Sequence, residues 1–293
     1  MKPKPWLTYA SITIIFWGTW GALIEITEKS GFPATLGYTI WALTMIFPAT
    51  YALWNIKWKL DTNRKAILYG SLIGFLGAAG QLILFQALRT GPAYLVFPFI
   101  SLSPLVTILL SFWLLKERAA FKAWIGIILA SVAILFLSYQ PPENSQIFGY
   151  LWIILSLLVF LAWGIQACFI KIANNHMKAE SIFFYMMVTG IILIPLALLM
   201  TDFSENIYWG FKGPYLAAGI HLLSSTGALC LVYAFRYGKA IIVSPAINAG
   251  APVITIVLSL IIYGVFPHWI LLTGMILAIT AIILMAESEE MSE

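Results

Sequence analysis

Along this chain the apolar and polar positions alternate on the scale of whole elements. Runs of about twenty apolar residues are separated by short connectors that hold most of the charge. Ten such runs can be delimited. The first covers residues 6–27, and the second starts after Gly31-Phe32-Pro33 and ends near Trp54. The third and fourth flank the Arg89-Thr90-Gly91-Pro92 turn, and Lys116-Glu117-Arg118 closes the fourth. The fifth covers 119–139 and stops at Pro141-Pro142. The others cover 148–172, 181–200, 214–235, 240–263 and 269–286. About twenty apolar residues in a helix span the roughly 30 Å hydrocarbon core of a bilayer. The pattern therefore predicts an all-α integral membrane protein with ten transmembrane helices. The first run follows Lys2 and Lys4, yet it is too long for a signal-peptide core and has no small-residue cleavage site.

One stretch is written twice. Residues 80–111 read GQLILFQALRTGPAYLVFPFISLSPLVTILLS, and residues 227–259 read GALCLVYAFRYGKAIIVSPAINAGAPVITIVLS. Arg89, Gly91, Val96, Pro98 and Ile100 meet identical types in the second copy. After one extra residue near Gly250, Pro104, Thr107 and Ser111 meet Pro252, Thr255 and Ser259. Shared leucines could reflect composition, but shared Arg, Gly and Pro at fixed separations mark an internal repeat. Fragments of the fifth and tenth runs match as well, and Trp17-Gly18 matches Trp163-Gly164. The repeat units are residues 6–139 and 148–286, with five helices each. An odd number of crossings makes the second unit enter from the opposite side, so the repeat is inverted.

Each copy carries two prolines inside an apolar run. A proline in a helix removes the bond to the carbonyl four residues back, so one bent helix per copy is expected. Pro98 and Pro104 would free the carbonyls of Tyr94 and Ile100, and Pro245 and Pro252 those of Ile241 and Asn248. Interrupted helices at corresponding positions of two halves point to a transporter's central site. The four prolines are thus gating candidates, although proline is common in membrane helices for packing reasons alone.

Charge gives the orientation. Lys2, Lys4, Lys57, Lys59, Arg64, Lys65, Lys116, Arg118, Lys122, Lys171, Lys178, Arg236 and Lys239 fall on one side, and only Lys29, Arg89 and Lys212 on the other. By the positive-inside rule both termini are cytoplasmic, in the plasma membrane (the cytoplasmic membrane if bacterial). Composition agrees, with 61% hydrophobic and 10% charged residues. The basic residues form no nucleic-acid patch, and the two cysteines form no disulfide framework. Phosphate-loop, HExxH and GxSxG motifs are absent. No enzyme activity, cofactor or metal is expected.

These features together resemble the EamA-type members of the drug/metabolite transporter superfamily. The resemblance rests on the five-plus-five inverted repeat, the Trp-Gly of the first helix, the Gly-Pro entry to the fourth and its closing Lys-Glu-Arg. It implies a carrier that moves small organic solutes, often outward, through a cavity between the halves. Glu117 is the acidic residue that commonly ends the fourth helix in this family. Its counterpart in the ninth is Val265, so the acidic pattern is present in one half only.

Several residues are candidates for the site. Trp17 and Trp20 share a helix face, and the repeat places Trp163 and Gln166 on the equivalent face. Aromatic faces near the midplane can stack on a ring or hold an ammonium group, or they can serve packing alone. Gln81, Gln86, His221 and Asn248 are uncharged polar groups inside apolar runs, where a partner or a cavity must receive them. Ser101 is the counterpart of Asn248. Glu25 lies roughly 12 Å beyond Trp17 along its helix. It is either an interfacial carboxylate or a coupling group. Arg89 and Arg236 are counterparts expected to snorkel to opposite interfaces. Gly70, Gly74, Gly77 and Gly80 allow close helix approach. The expected partners are a small organic solute (amino acid, nucleoside, sugar or amine) and the lipid bilayer. A homodimer is compatible with the sequence. A non-transporting scaffold or a lipid scramblase is the alternative reading, and an intramembrane enzyme is a further one with no motif behind it.

Overall fold

The computed structural model describes residues 4–139, 150–264 and 266–290. The Pro141-Pro142 turn, the start of the sixth run and Val265 lie outside them. Helix is the only regular structure among the described residues. The helices are α1 Pro5–Lys29, α2 Ala34–Thr44, α3 Ile46–Asn55, α4 Arg64–Thr90, α5 Ala93–Ser101, α6 Ser103–Leu114 and α7 Phe121–Leu137 in the first half. The second half has α8 Leu151–Asn174, α9 Ala179–Ile192, α10 Ile194–Leu199, α11 Leu216–Tyr237, α12 Ala240–Tyr263 and α13 Trp269–Glu290, with a π-helical turn at Phe211–Tyr215 before α11. The pairs α2/α3, α5/α6 and α9/α10 each make one crossing. Among the described residues nine helical spans of at least 20 residues are long and apolar enough to cross a membrane, and Phe121–Leu137 adds a tenth, shorter apolar helix. The ten crossings form the five-plus-five inverted repeat.

Local chemistry sets the interruptions. Pro48 is the third residue of α3 and Pro195 the second of α10, so each removes a bond needed to carry the preceding helix onward. The sequence reading passed over both. The expectation of one helix per copy that carries both prolines is met by α12, which runs unbroken with Pro245 and Pro252 inside it. It fails for the first copy. There the chain breaks at Leu102, and Pro104 is the second residue of a new helix, where its missing N–H costs nothing.

The repeats exchange partners across their interface. The first helix of each packs on the third and fourth crossings of the other: α1 on α11 and α12, and α8 on α4 and α5/α6. Glycines make this possible. A Cβ added at Gly18 would stand 2.4 Å from the Ile254 Cβ and 2.7 Å from the Ala251 carbonyl oxygen. At Gly164 it would stand 2.4 Å from the Val106 Cβ and 2.6 Å from the Ser103 carbonyl oxygen. These are repeat-equivalent contacts. Thr255 Oγ1 donates to the Gly18 carbonyl and Thr107 Oγ1 to the Gly164 carbonyl, both at 3.0 Å. The α4 glycines work in the same way: Gly70 accommodates Tyr185, Gly74 Thr189, Gly77 Gln166 and Gly80 Trp163. Their close-approach role is as the spacing predicted.

Candidate functional site

Five of the candidates form two related clusters, one in each exchanged interface: Trp17, Trp20 and His221 in one, Trp163 and Gln166 in the other. In the first, Trp17 Nε1 donates to the Ser224 carbonyl at 3.1 Å and its ring fills the space beside Gly227. In the second, Trp163 Nε1 donates to the Gly77 carbonyl at 3.4 Å and its ring fills the space beside Gly80. Both indoles thus spend their only polar group on the backbone of the opposite repeat, and each joins the repeats. Trp20 and Gln166, one turn further on, do likewise: Trp20 Nε1 donates to His221 Nδ1 at 3.1 Å, and Gln166 Nε2 donates to the Ile73 carbonyl at 3.1 Å.

His221 is buried, at 5% exposure. Because Nδ1 accepts from Trp20, the ring presents a lone pair there, and a neutral imidazole carries its proton on Nε2. Among the described residues Nε2 has no hydrogen-bond partner. It faces the α2 backbone at Gly37, where an added Cβ would be 3.3 Å away.

Gln81, Ser101 and Asn248, like His221, have polar atoms still to spare. Gln81 and Ser101 are half-buried and make no side-chain hydrogen bond to described residues. Asn248, also half-buried, uses Nδ2 within its own helix on the Ser244 carbonyl at 2.9 Å. The structure does not bring Glu25 to these clusters. It lies near the far end of α1, paired with Lys29 at 2.6 Å and half exposed. The gating candidates divide likewise, with Pro98 half-buried in α5, Pro104 buried at the start of α6, Pro245 buried in α12 and Pro252 half-buried. Arg89 and Arg236 stand exposed at opposite ends and donate to the Met200 and Met177 carbonyls.

The two ends of the molecule are built differently. At the lysine-rich end, the turn between α11 and α12 is enclosed. Trp6 packs on Gly238, and Lys171 Nζ donates to the Phe235 carbonyl at 3.0 Å and the Gly238 carbonyl at 2.7 Å. Glu117 Oε2 accepts from the Ile241 N–H at 3.0 Å. Burial pushes the Glu117 carboxyl above its ordinary value. The Ile241 and Ala240 N–H groups and the Lys171 and Lys239 charges oppose this. At the other end, Trp152 packs on Gly91 as Trp6 does on Gly238. The residue equivalent to Lys171 is Glu25, which is turned to Lys29. Sequence reasoning missed Trp6, Trp152, Thr107 and Thr255 as contacts, and the capping role of Glu117.

Two surface depressions lie elsewhere. A cleft of about 540 Å³ at the lysine-rich end is lined by Trp54, Asn55, Lys57 and Trp58. An apolar groove of about 340 Å³ runs between Phe47 and Tyr215. Neither contains a candidate, and the clusters rest on side-chain geometry instead.

The model of the EamA-like transporter family matches this chain twice, over residues 4–139 and 150–286. An uncharacterized protein of Methanocaldococcus jannaschii is 36% identical over 85 residues, which are 28% of this chain. The chain spans 62% of that relative's length. A crystal structure with 15% sequence identity superposes on 98% of each chain with a TM-score of 0.74. At that identity the likeness shows the fold alone.

Proposed function

The chain belongs to the EamA-like transporter family, a family of multi-pass membrane transporters of the drug/metabolite type, and we propose that it carries a small organic solute by alternating access between its two repeats. The repeats are taken as residues 6–139 and 148–286. Solutes of amino-acid, nucleoside, sugar or amine type suit the site, and export or exchange suits the family. Both termini are placed in the cytoplasm, with the protein in the plasma membrane, on the lysine and arginine asymmetry.

One observation supports the reading above all others. Equivalent segments of the two repeats occupy unequal environments. Leu95 and Phe99 in α5 are each 39% exposed, whereas their counterparts in α12, Ile242 and Ala246, are each 1% exposed. In the same sense α12 packs on α7, and no packing of that extent joins α5 or α6 to α13. A pair of inverted repeats held in two different arrangements can interchange them, and that interchange moves a central site from one face of the membrane to the other. On this reading the lysine-rich end is the closed one and the α5 end the open one.

Trp17, Trp20, Trp163, Gln166 and His221 form the walls in this reading. Gln81, Ser101 and Asn248 offer polar groups to the solute. Pro98, Pro104, Pro245 and Pro252 mark where the fourth and ninth crossings bend. The test is a thermal-shift screen of purified protein against the four solute classes, followed by flux of any hit in proteoliposomes. Asn248→Ala and Gln81→Ala are expected to weaken binding of the hit about five- to a hundredfold, the loss of one or two polar contacts, with melting in the absence of solute unchanged. Unaltered binding in both variants would remove them from the site.

A further inference from the structure

We propose that Glu117 and Lys171 form a latch that holds the lysine-rich end shut, and that the described residues of the opposite end provide no equivalent, so the resting carrier is biased toward the conformer described here. The proposal rests on the alternating-access reading and adds to it the residues that set the balance between the two states.

The latch joins three pieces of chain. Glu117 sits in the connector between α6 and α7, in the first repeat. Its Oε2 accepts the Ile241 N–H at 3.0 Å, and the Ala240 N–H also points to the carboxyl. These are first-turn donors of α12, which have no partner inside their own helix and carry its positive end. Lys171, near the end of α8, donates to Phe235 and Gly238. Those carbonyls lie at the negative end of α11, and a cation there is favoured. An anion thus holds the start of α12 and a cation holds the end of α11, on either side of the Gly238-Lys239 turn.

The opposite end keeps the aromatic half of this arrangement and not the ionic half. Trp152 covers Gly91 as Trp6 covers Gly238. The counterpart of Lys171 is Glu25, held by Lys29 at 2.6 Å. The sequence counterpart of Glu117 is Val265, which lies outside the described residues; valine has no acceptor to offer a helix terminus. Two identical ends would leave the two states evenly populated. Charged hydrogen bonds at one end only shift that balance, by about tenfold or more for a single bond.

Single-cysteine reporters in nanodiscs, where both ends meet the reagent, test this. Cys168 and Cys230 are replaced by alanine, and Ser244→Cys or Phe97→Cys, which are equivalent positions in α12 and α5, is introduced. In the parent the thiol at 97 reacts with a water-soluble maleimide and the thiol at 244 is protected. Glu117→Ala and Lys171→Met, which remove the acceptor and the donor outright, are each expected to speed labelling at 244 about tenfold and to slow it at 97, and Lys171→Arg to restore the parent rates. A role in folding alone would speed both sites together and would overturn the latch. Trp6→Ala, which loosens the same end without touching the ionic groups, separates the two levels of the argument. If it moves the reporters reciprocally and the latch variants leave them unchanged, the latch is wrong and the carrier reading stands. If no variant moves the reporters in opposite directions, the two-state reading falls and takes the latch with it.

Discussion

Residues 93–114 and 240–263 are two copies of one segment, yet the first is a pair of helices broken at Leu102 and the second a single helix. The difference is one residue. Pro98 and Pro104 are six positions apart, Pro245 and Pro252 seven. At about 100° per residue, seven positions return to nearly the same helix face, whereas six leave the prolines about 120° apart. Two bends on one face add to a smooth curve that intact hydrogen bonds on the other face can hold. Two bends in different directions do not, and the chain gives way between them. Packing then reinforces each outcome: Ile241 to Ile247 are buried throughout, while Leu95 and Phe99 are exposed. Insertion of a residue in one copy therefore changed the mechanics of its crossing with little change in its chemistry.

Three measurements would break or sharpen this comparison. The largest effect is expected where the copies are alike. Gly18→Ala and Gly164→Ala each place a methyl within 2.4 Å of a neighbouring Cβ and within 2.7 Å of a carbonyl oxygen. Each should destabilise the protein by about 1–3 kcal/mol, the usual cost of overpacking a tight contact, read as a lower melting temperature in detergent. A cost confined to one of them would mean that the interfaces are unlike despite their matching hydrogen bonds.

A smaller effect is expected from making the ends alike. Glu25→Lys gives the α5 end the residue type that Lys171 supplies at the other. If the repeat symmetry governs closure, the new amine can reach the carbonyls of Leu88 and Gly91, the counterparts of Phe235 and Gly238. Labelling at Phe97→Cys should then fall severalfold relative to Ser244→Cys. An unchanged ratio would assign Glu25 to its surface pair with Lys29 alone.

The smallest effect concerns pH. Burial holds the Glu117 carboxyl above the ordinary value of 4.5 in the latched state, and water would return it toward that value once the end opens. The state with the raised value binds the proton more tightly, so acidification from the raised value down to about 4.5 favours the latched state. The facing groups are Lys171 and Cys168 on α8 and Lys239 ahead of α12. The ratio of labelling at 244 to labelling at 97 should therefore fall with pH in the parent and be flat in Glu117→Gln. A ratio that rises on acidification would reverse the assignment.

The ten crossings and their inverted relation were legible because hydropathy runs and repeated Arg, Gly and Pro survive as plain text. So was the pairing of Trp17 with Trp163 as equivalents. What each tryptophan touches was not legible, since Trp17 meets Ser224 and Trp163 meets Gly77, in the other repeat and far along the chain. A repeat read by itself gives no sign that its first helix belongs spatially to the other. Thr107 and Thr255 stood in the alignment as matched residues. Only the close approach of α8 and α1 makes their hydroxyls a bond to Gly164 and Gly18. The breaks at Met45 and Leu193 could have been read from Pro48 and Pro195. Glu117 stood out as a family feature, but its function as a cap depends on α12 starting beside it.

The exchange of first helices also has a consequence for how the protein is made. The glycine surface of α11 that receives Trp17 is synthesised about 200 residues after it. At roughly 5–20 residues per second that is on the order of 10–40 s of translation. Until then α1 resides in the bilayer with its indole N–H and its Gly18 stripe facing lipid or a provisional neighbour. Neither half can complete its interior alone, so a chain cut between residues 139 and 150 should yield two fragments that are each degraded when expressed singly and that persist when expressed together.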